Sequence, residues 1–231
     1  MTDIHANIQE QGDTLVATAK TRMNLAIHHL FAACRLAARV GEIERANAKE
    51  PFGEFWEEIF QNSLGVATLT VACIECYANE LFFEASALGR VLNPTAAATV
   101  ADLVDNQSIL RKYSVALAIR TGSELDFGIS PVQGVDALIR LRNAVVHFRP
   151  EWFGEQDKHE KLSKVLQYKF KTSIFLSSEP VFPRAWASHD FCVWALRTAV
   201  AFLAHFYERA GLQFPLAQFE SRLSQLSANA L

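Results

Sequence analysis

The stretch Ser130–Phe148, SPVQGVDALIRLRNAVVHF, decides the fold. Ser130 can cap a helix, Pro131 suits its first position and Gln133 can bond back to the cap. Arg149-Pro150 then stops it, because the residue before a proline is pushed out of the α region. A helix advances about 100° per residue, so Leu138, Leu141, Val145 and Phe148 share one side, with Val135 and Val146 on a flank. Asp136, Arg140, Asn143 and His147 fall within roughly 60° of one another on the other side. A helix with so sharp a division needs apolar partners, and the rest of the chain supplies them mostly as further helices.

Towards the N-terminus, Thr121–Ile129 holds two glycines and reads as a loop. Ser108–Arg120 reads as a helix, and Asn93-Pro94 opens a short one to about Val104. Phe52–Leu88 reads as a long helix with a stripe through Ala67, Thr70, Ile74, Ala78, Leu81 and Ala85, ended by Gly89. Residues 13–49 contain no Pro and repeat apolar side chains at Leu15, Ala19, Met23, Ile27, Leu30 and Ala33, which predicts one helix stopped before Pro51. Towards the C-terminus, Glu155–Lys169 reads as a solvated helix and Thr172–Pro183 as a looped connection with room for a short hairpin. A strongly apolar helix follows over His189–Ala210, and a last one from Pro215 to about Ser227. The expectation is an all-α chain, a single domain over residues 1–231, in which a long antiparallel helix pair is the spine of a bundle and 151–183 is a loop or helix insertion.

Composition narrows the function classes. Half of the 231 residues are hydrophobic, and 22 Lys and Arg face 25 Asp and Glu for a net −3, which excludes a polyanion-coating protein and a disordered acidic tail. With 10 Gly and 7 Pro the chain is poor in the turn residues that sandwiches and barrels use. Counted by segment, residues 1–106 carry −7, residues 107–171 carry +4 and the remainder 0, so a phosphate-bearing partner is expected at the middle segment. The N-terminus lacks the basic, apolar, small-residue order of a secretory signal, which predicts a cytoplasmic chain. Ser63–Ile74 is too short to cross a bilayer and Phe191–Phe206 is interrupted by Arg197, so no membrane span is expected.

Other chemistry-bearing residue types read as structural. The four cysteines are expected to be free thiols. Cys73-Ile74-Glu75-Cys76 has zinc or redox spacing but no second pair, and lies in an apolar helix where thiols pack. His28 and His29 diverge by about 100° and cannot ligate from one face, and Phe191, Trp194 and Phe202 are expected in the core or at a dimer seam. There is no Walker loop and no GxGxxG.

Arg142 lies on the apolar flank, where a guanidinium needs a partner or a wet cleft. It can pair with Glu75, the only charged residue between Glu58 and Glu80, in which case its removal would destabilise the fold; or Arg142 and His147 can converge on a substrate.

The run Leu141-Arg142-Asn143-Ala144-Val145-Val146-His147 resembles the signature of the HEPN (higher eukaryotes and prokaryotes nucleotide-binding) superfamily, an Arg followed by a polar residue and then a His after four to six intervening positions. Glu75–Leu81 and Ser188–Phe206 are similar to an early long helix and the late apolar helix of such proteins. The resemblance implies a helical homodimer with two motifs facing across a cleft, and a metal-independent endoribonuclease of a toxin or defence type acting on RNA, needing no cofactor. His147 would then be the general base or acid at the ribose 2′-hydroxyl, Arg142 would stabilise the phosphorane-like transition state, and Asn143 would orient the phosphate or His147. An antitoxin or neighbouring protein would be a further partner. Helix angles put Arg140 rather than Arg142 beside His147, making Arg140 a rival or second phosphate contact. The 151–183 segment could cover the cleft or offer Lys158, Lys161 and Lys164 to RNA, although such lysines commonly form a solvated face. The alternatives are a catalytically inactive helical module that binds nucleotide or protein, and a purely structural bundle in a larger assembly.

Overall fold

A computed structural model describes residues 2–11, 14–83, 88, 91–152 and 157–216. The long pair forms from α1 (Ala26–Asn47) and α2 (Phe55–Glu80). Asn24 accepts the Ala26 N–H at 2.8 Å through its side-chain oxygen, which satisfies one orphan donor at the start of α1. Along the pair, Arg39 bonds Glu58 at 2.7 Å, Leu36 lies against Gly65, and Asn24 donates to Glu80 at 3.1 Å. Numbers that fall on one helix rise on the other, so the two are antiparallel.

Two boundaries differ from the sequence reading. Residues 14–23 are not the first turns of α1; β1 (Thr2–Gln11) and β2 (Thr14–Met23) form an antiparallel hairpin, with Thr2 opposite Met23 and Gln11 opposite Thr14. Thr14, Val16 and Thr18 are β-branched at every second position, so strand alternation competes with the helical spacing of Leu15, Ala19 and Met23 and prevails once a partner strand is present. The second helix stops at Glu80, not Leu88, its end tightening into bonds from Phe82 N–H to Asn79 and Phe83 N–H to Glu80; Gly89 lies outside the described residues.

Helices α3 (Pro94–Val104) and α4 (Ile109–Thr121) start where their capping residues place them. Asn93 accepts from Ala96 N–H and Ser108 from Arg111 N–H, while Gly122 closes α4 at φ 72°. Helix α5 (Ser130–Val146) has Ile129 as its cap residue, so the expected Ser130 capping box does not form; Gln133 donates its amide to Gly128 O at 3.0 Å instead. Helix α6 (Asp157–Leu166) follows. Thr172–Pro183 is a looped connection, in which a 3₁₀ turn at Ile174–Leu176 and a wide turn beginning at Val181 and running to Ala185 stand where a short hairpin had room to form. Helix α7 (His189–Arg209) is capped by Ser188, which accepts from Phe191 N–H at 3.0 Å. Described chain ends in a turn at Leu216, and the expected last helix lies almost wholly outside the described residues.

The result is an all-α bundle preceded by a hairpin. Its core runs through α1, α2, α4, α5 and α7, with Phe191, Phe202 and Phe206 of α7 fully buried. The Tyr113 ring of α4 meets Phe202 and Phe206 edge-on at 4.8 and 4.6 Å, and its hydroxyl donates to Ile74 O at 2.7 Å. A Cβ at Gly134 would stand 2.8 Å from Thr198 Cγ2, so the bare glycine backbone lets α5 sit close to α7. Helix α2 is long and apolar enough to cross a membrane by length and composition, and here it packs against α1, α4, α5 and α7. The cysteines are free, and burial pushes the Cys34 thiol up to about 11 and Cys192 to about 12, which makes them core packing and not nucleophiles.

Candidate functional site

On α5, the Arg140 guanidinium bonds Asp136 one turn earlier at 2.8 Å. His147 is the residue that ends the helix, with φ −109° and ψ 40°; its backbone N–H still bonds Asn143 O at 2.9 Å while its side chain stands exposed. Beyond it the chain leaves helical geometry. Phe148, which an uninterrupted helix would place on the core side, is therefore half exposed and faces α6.

The turn is fastened by His159 of α6, only 8 % exposed. Its backbone N–H donates to Glu151 at 3.2 Å, its Nε2 lies 3.1 Å from Arg149 O, and its Nδ1 lies 3.9 Å from the Glu151 carboxylate. Phe148 stacks on the imidazole at 5.5 Å and Phe182 meets it edge-on at 4.9 Å. Ser163 accepts the Phe182 N–H at 3.0 Å, tying α6 to the wide turn.

Between α5 and α6 this leaves a cleft of about 230 Å³. Arg140, Ala144 and His147 form one wall; Arg149 and Glu151 come from the connection; Lys158, His159 and Leu162 form the opposite wall, with Phe182 at its base. Three cations and one carboxylate line it, together with two imidazoles, in a part of the chain that is basic overall. Such a lining suits an anion carrying a transferable proton. A smaller depression of about 120 Å³ near the end of α7 mixes Glu124 and Asp126 with His205 and Arg209 and lacks this bias.

The cleft brings together His147 and Arg140. Arg142 points elsewhere: its Nη2 lies 3.5 Å from Glu75 Oε2 on α2, and its Nε is buried without a hydrogen-bond partner. Asn143 is exposed on the polar stripe but is not among the cleft-lining residues. Lys161 and Lys164 are held by Asp157 and Glu160, each at 2.7 Å, as a solvated face; Lys158 lines the cleft. The sequence reading missed Arg149 and His159, whose place depends on how the chain turns at Pro150. Among the described residues no group of three His, Cys, Asp or Glu side chains is arranged to hold a metal. Compared with family models, curated proteins and solved structures, the chain matches none.

Proposed function

We propose that this protein is a HEPN-like, metal-independent endoribonuclease of a toxin or defence type, acting on RNA in the cytoplasm as a homodimer. The observation that carries the reading is the exposed His147 in one cleft with Arg140, Arg149 and Lys158. In this chemistry His147 takes the proton of a ribose 2′-hydroxyl as its oxygen attacks the adjacent phosphorus. The bond from phosphorus to the 5′-oxygen breaks, a proton is returned to that leaving oxygen, and a 2′,3′-cyclic phosphate remains. An imidazole can accept and return a proton near neutral pH, and guanidinium groups match the phosphate oxygens that gain charge. The motif's Arg142 takes the phosphate in the HEPN pattern; here Arg140 and Arg149 are the better placed donors. In a dimer the exposed stripe of α5, with Asn143 and the 53 % exposed Val146, would meet its copy, and an antitoxin or neighbouring protein would act by covering the same stripe.

The test is cleavage of RNA in EDTA. His147→Ala abolishes it while leaving helical circular dichroism unchanged; cleavage that persists in the variant refutes the role. The engagement of Arg142 with Glu75 favours a second reading, a catalytically inactive module that binds nucleotide or protein. That reading expects RNA to be left whole by the wild-type chain.

A further inference from the structure

Tryptophan is the side chain a folding chain gains most from burying, and Trp56 and Trp186 are 6 % and 0 % exposed. Trp152 is 83 % exposed. It directly follows Glu151, a cleft-lining residue, and stands three positions after Arg149, another. Its Cα is thus about 3.8 Å along the chain from that of Glu151. The Glu151 carboxylate accepts the His159 N–H, so the indole follows directly on a residue tied to the cleft wall. Leaving a large flat apolar surface in water brings no folding gain, whereas one residue along the chain from a cleft lined by cations it supplies the second of two features that recognise a nucleotide, a ring for the base to go with a charge site for phosphate.

We propose that Trp152 is a base-stacking residue, which seats an unpaired nucleobase next to the phosphate held by Arg140, Arg149 and Lys158. The inference rests on the reading of the cleft as a phosphate site. It narrows the ligand to single-stranded nucleic acid, because in a duplex the base faces are already covered by their neighbours and are closed to a side chain. Charge alone would not make this distinction, since a duplex carries phosphates at higher density. Stacking is also tolerant of base identity, so Trp152 selects for strandedness and flanking geometry, not for one sequence.

The experiment is a fluorescence titration of the full chain with a single-stranded oligodeoxyribonucleotide, which lacks the 2′-hydroxyl and so stays intact, alongside the same sequence as a duplex. Single strands quench tryptophan emission and bind more tightly than duplex. Trp152→Ala, a change at an exposed site, loses that quenching and binds roughly tenfold or more weakly, and Trp152→Phe retains most of the affinity. Equal affinity of wild type and Trp152→Ala, or equal affinity for single strand and duplex, overturns the proposal. RNA cleavage measured in parallel separates it from the reading beneath it. Binding through Trp152 with no RNA cut leaves the stacking site standing and removes the nuclease. RNA cut with unchanged KM in Trp152→Ala removes the stacking site and leaves the nuclease.

Discussion

Replacing Arg142 with methionine should lower stability only slightly and leave RNA cleavage close to wild type. Were the Arg142–Glu75 pair fully buried, removing one partner would cost about 3–5 kcal/mol. The geometry argues for much less. The closest approach is 3.5 Å, and the side chains of Arg142 and Glu75 are 22 % and 42 % exposed, so water screens the pair and its worth falls to about 0.5–1 kcal/mol. Methionine keeps the apolar stem of the arginine in place, and it removes an Nε that is buried without a partner, a donor whose desolvation is uncompensated. These opposing effects leave a net cost of about 0–1 kcal/mol, which lowers Tm by no more than about 4 °C in a chain of this size. The assay is urea unfolding followed by circular dichroism on Arg142→Met, Glu75→Gln and the double variant, with RNA cleavage measured on each. A coupling energy above about 2 kcal/mol would show a pair that behaves as buried despite its exposure. A loss of kcat by about a hundredfold at unchanged stability would put Arg142 on the phosphate and refute the assignment of that contact to Arg140 and Arg149.

Two further outcomes test other parts of the structure. Tyr168 holds φ 64° just after α6 while 92 % exposed, so it bears left-handed strain without returning packing; Tyr168→Gly should stabilise the protein by about 0.5–1 kcal/mol, and a fall in Tm would contradict this. His189 is held below its ordinary pKa of 6.5, first by burial and then by Arg45, with Asp190 opposing. The unfolded chain therefore takes up this proton more readily, so the contribution of neutral His189 is complete above pH 6.5 and is lost as pH falls from there towards the lowered folded value. His189→Asn should flatten the decline of Tm below pH 6.5, and an unchanged slope would remove His189 as its source.

Much of the bundle can be read in the chain because its signals are local. Asn93, Ser108, Ser188 and Gly122 mark helix ends through bonds to backbone a few residues away. The hairpin over Thr2–Met23 was hidden because Leu15, Ala19 and Met23 satisfy helical spacing, and only pairing with a separate strand decides against it. At the site, the shared face of Arg140 and His147 follows from angles along α5, and a lone Glu75 on an apolar helix marks the partner within reach of Arg142. Arg149, His159 and Phe182 carry no such mark. They meet because the chain reverses after Pro150 and because Ser163 captures the Phe182 backbone, and both events depend on packing between segments distant in sequence.

Both walls of the cleft come from one continuous run, Arg140–Leu162, and of that run the inner face of α5 joins α1, α2, α4 and α7 in the core. Insertions or deletions in the chain between Pro150 and Asp157 would change the gap between the two walls. Descendants of this chain could thus fit guests of different girth by changing loop length.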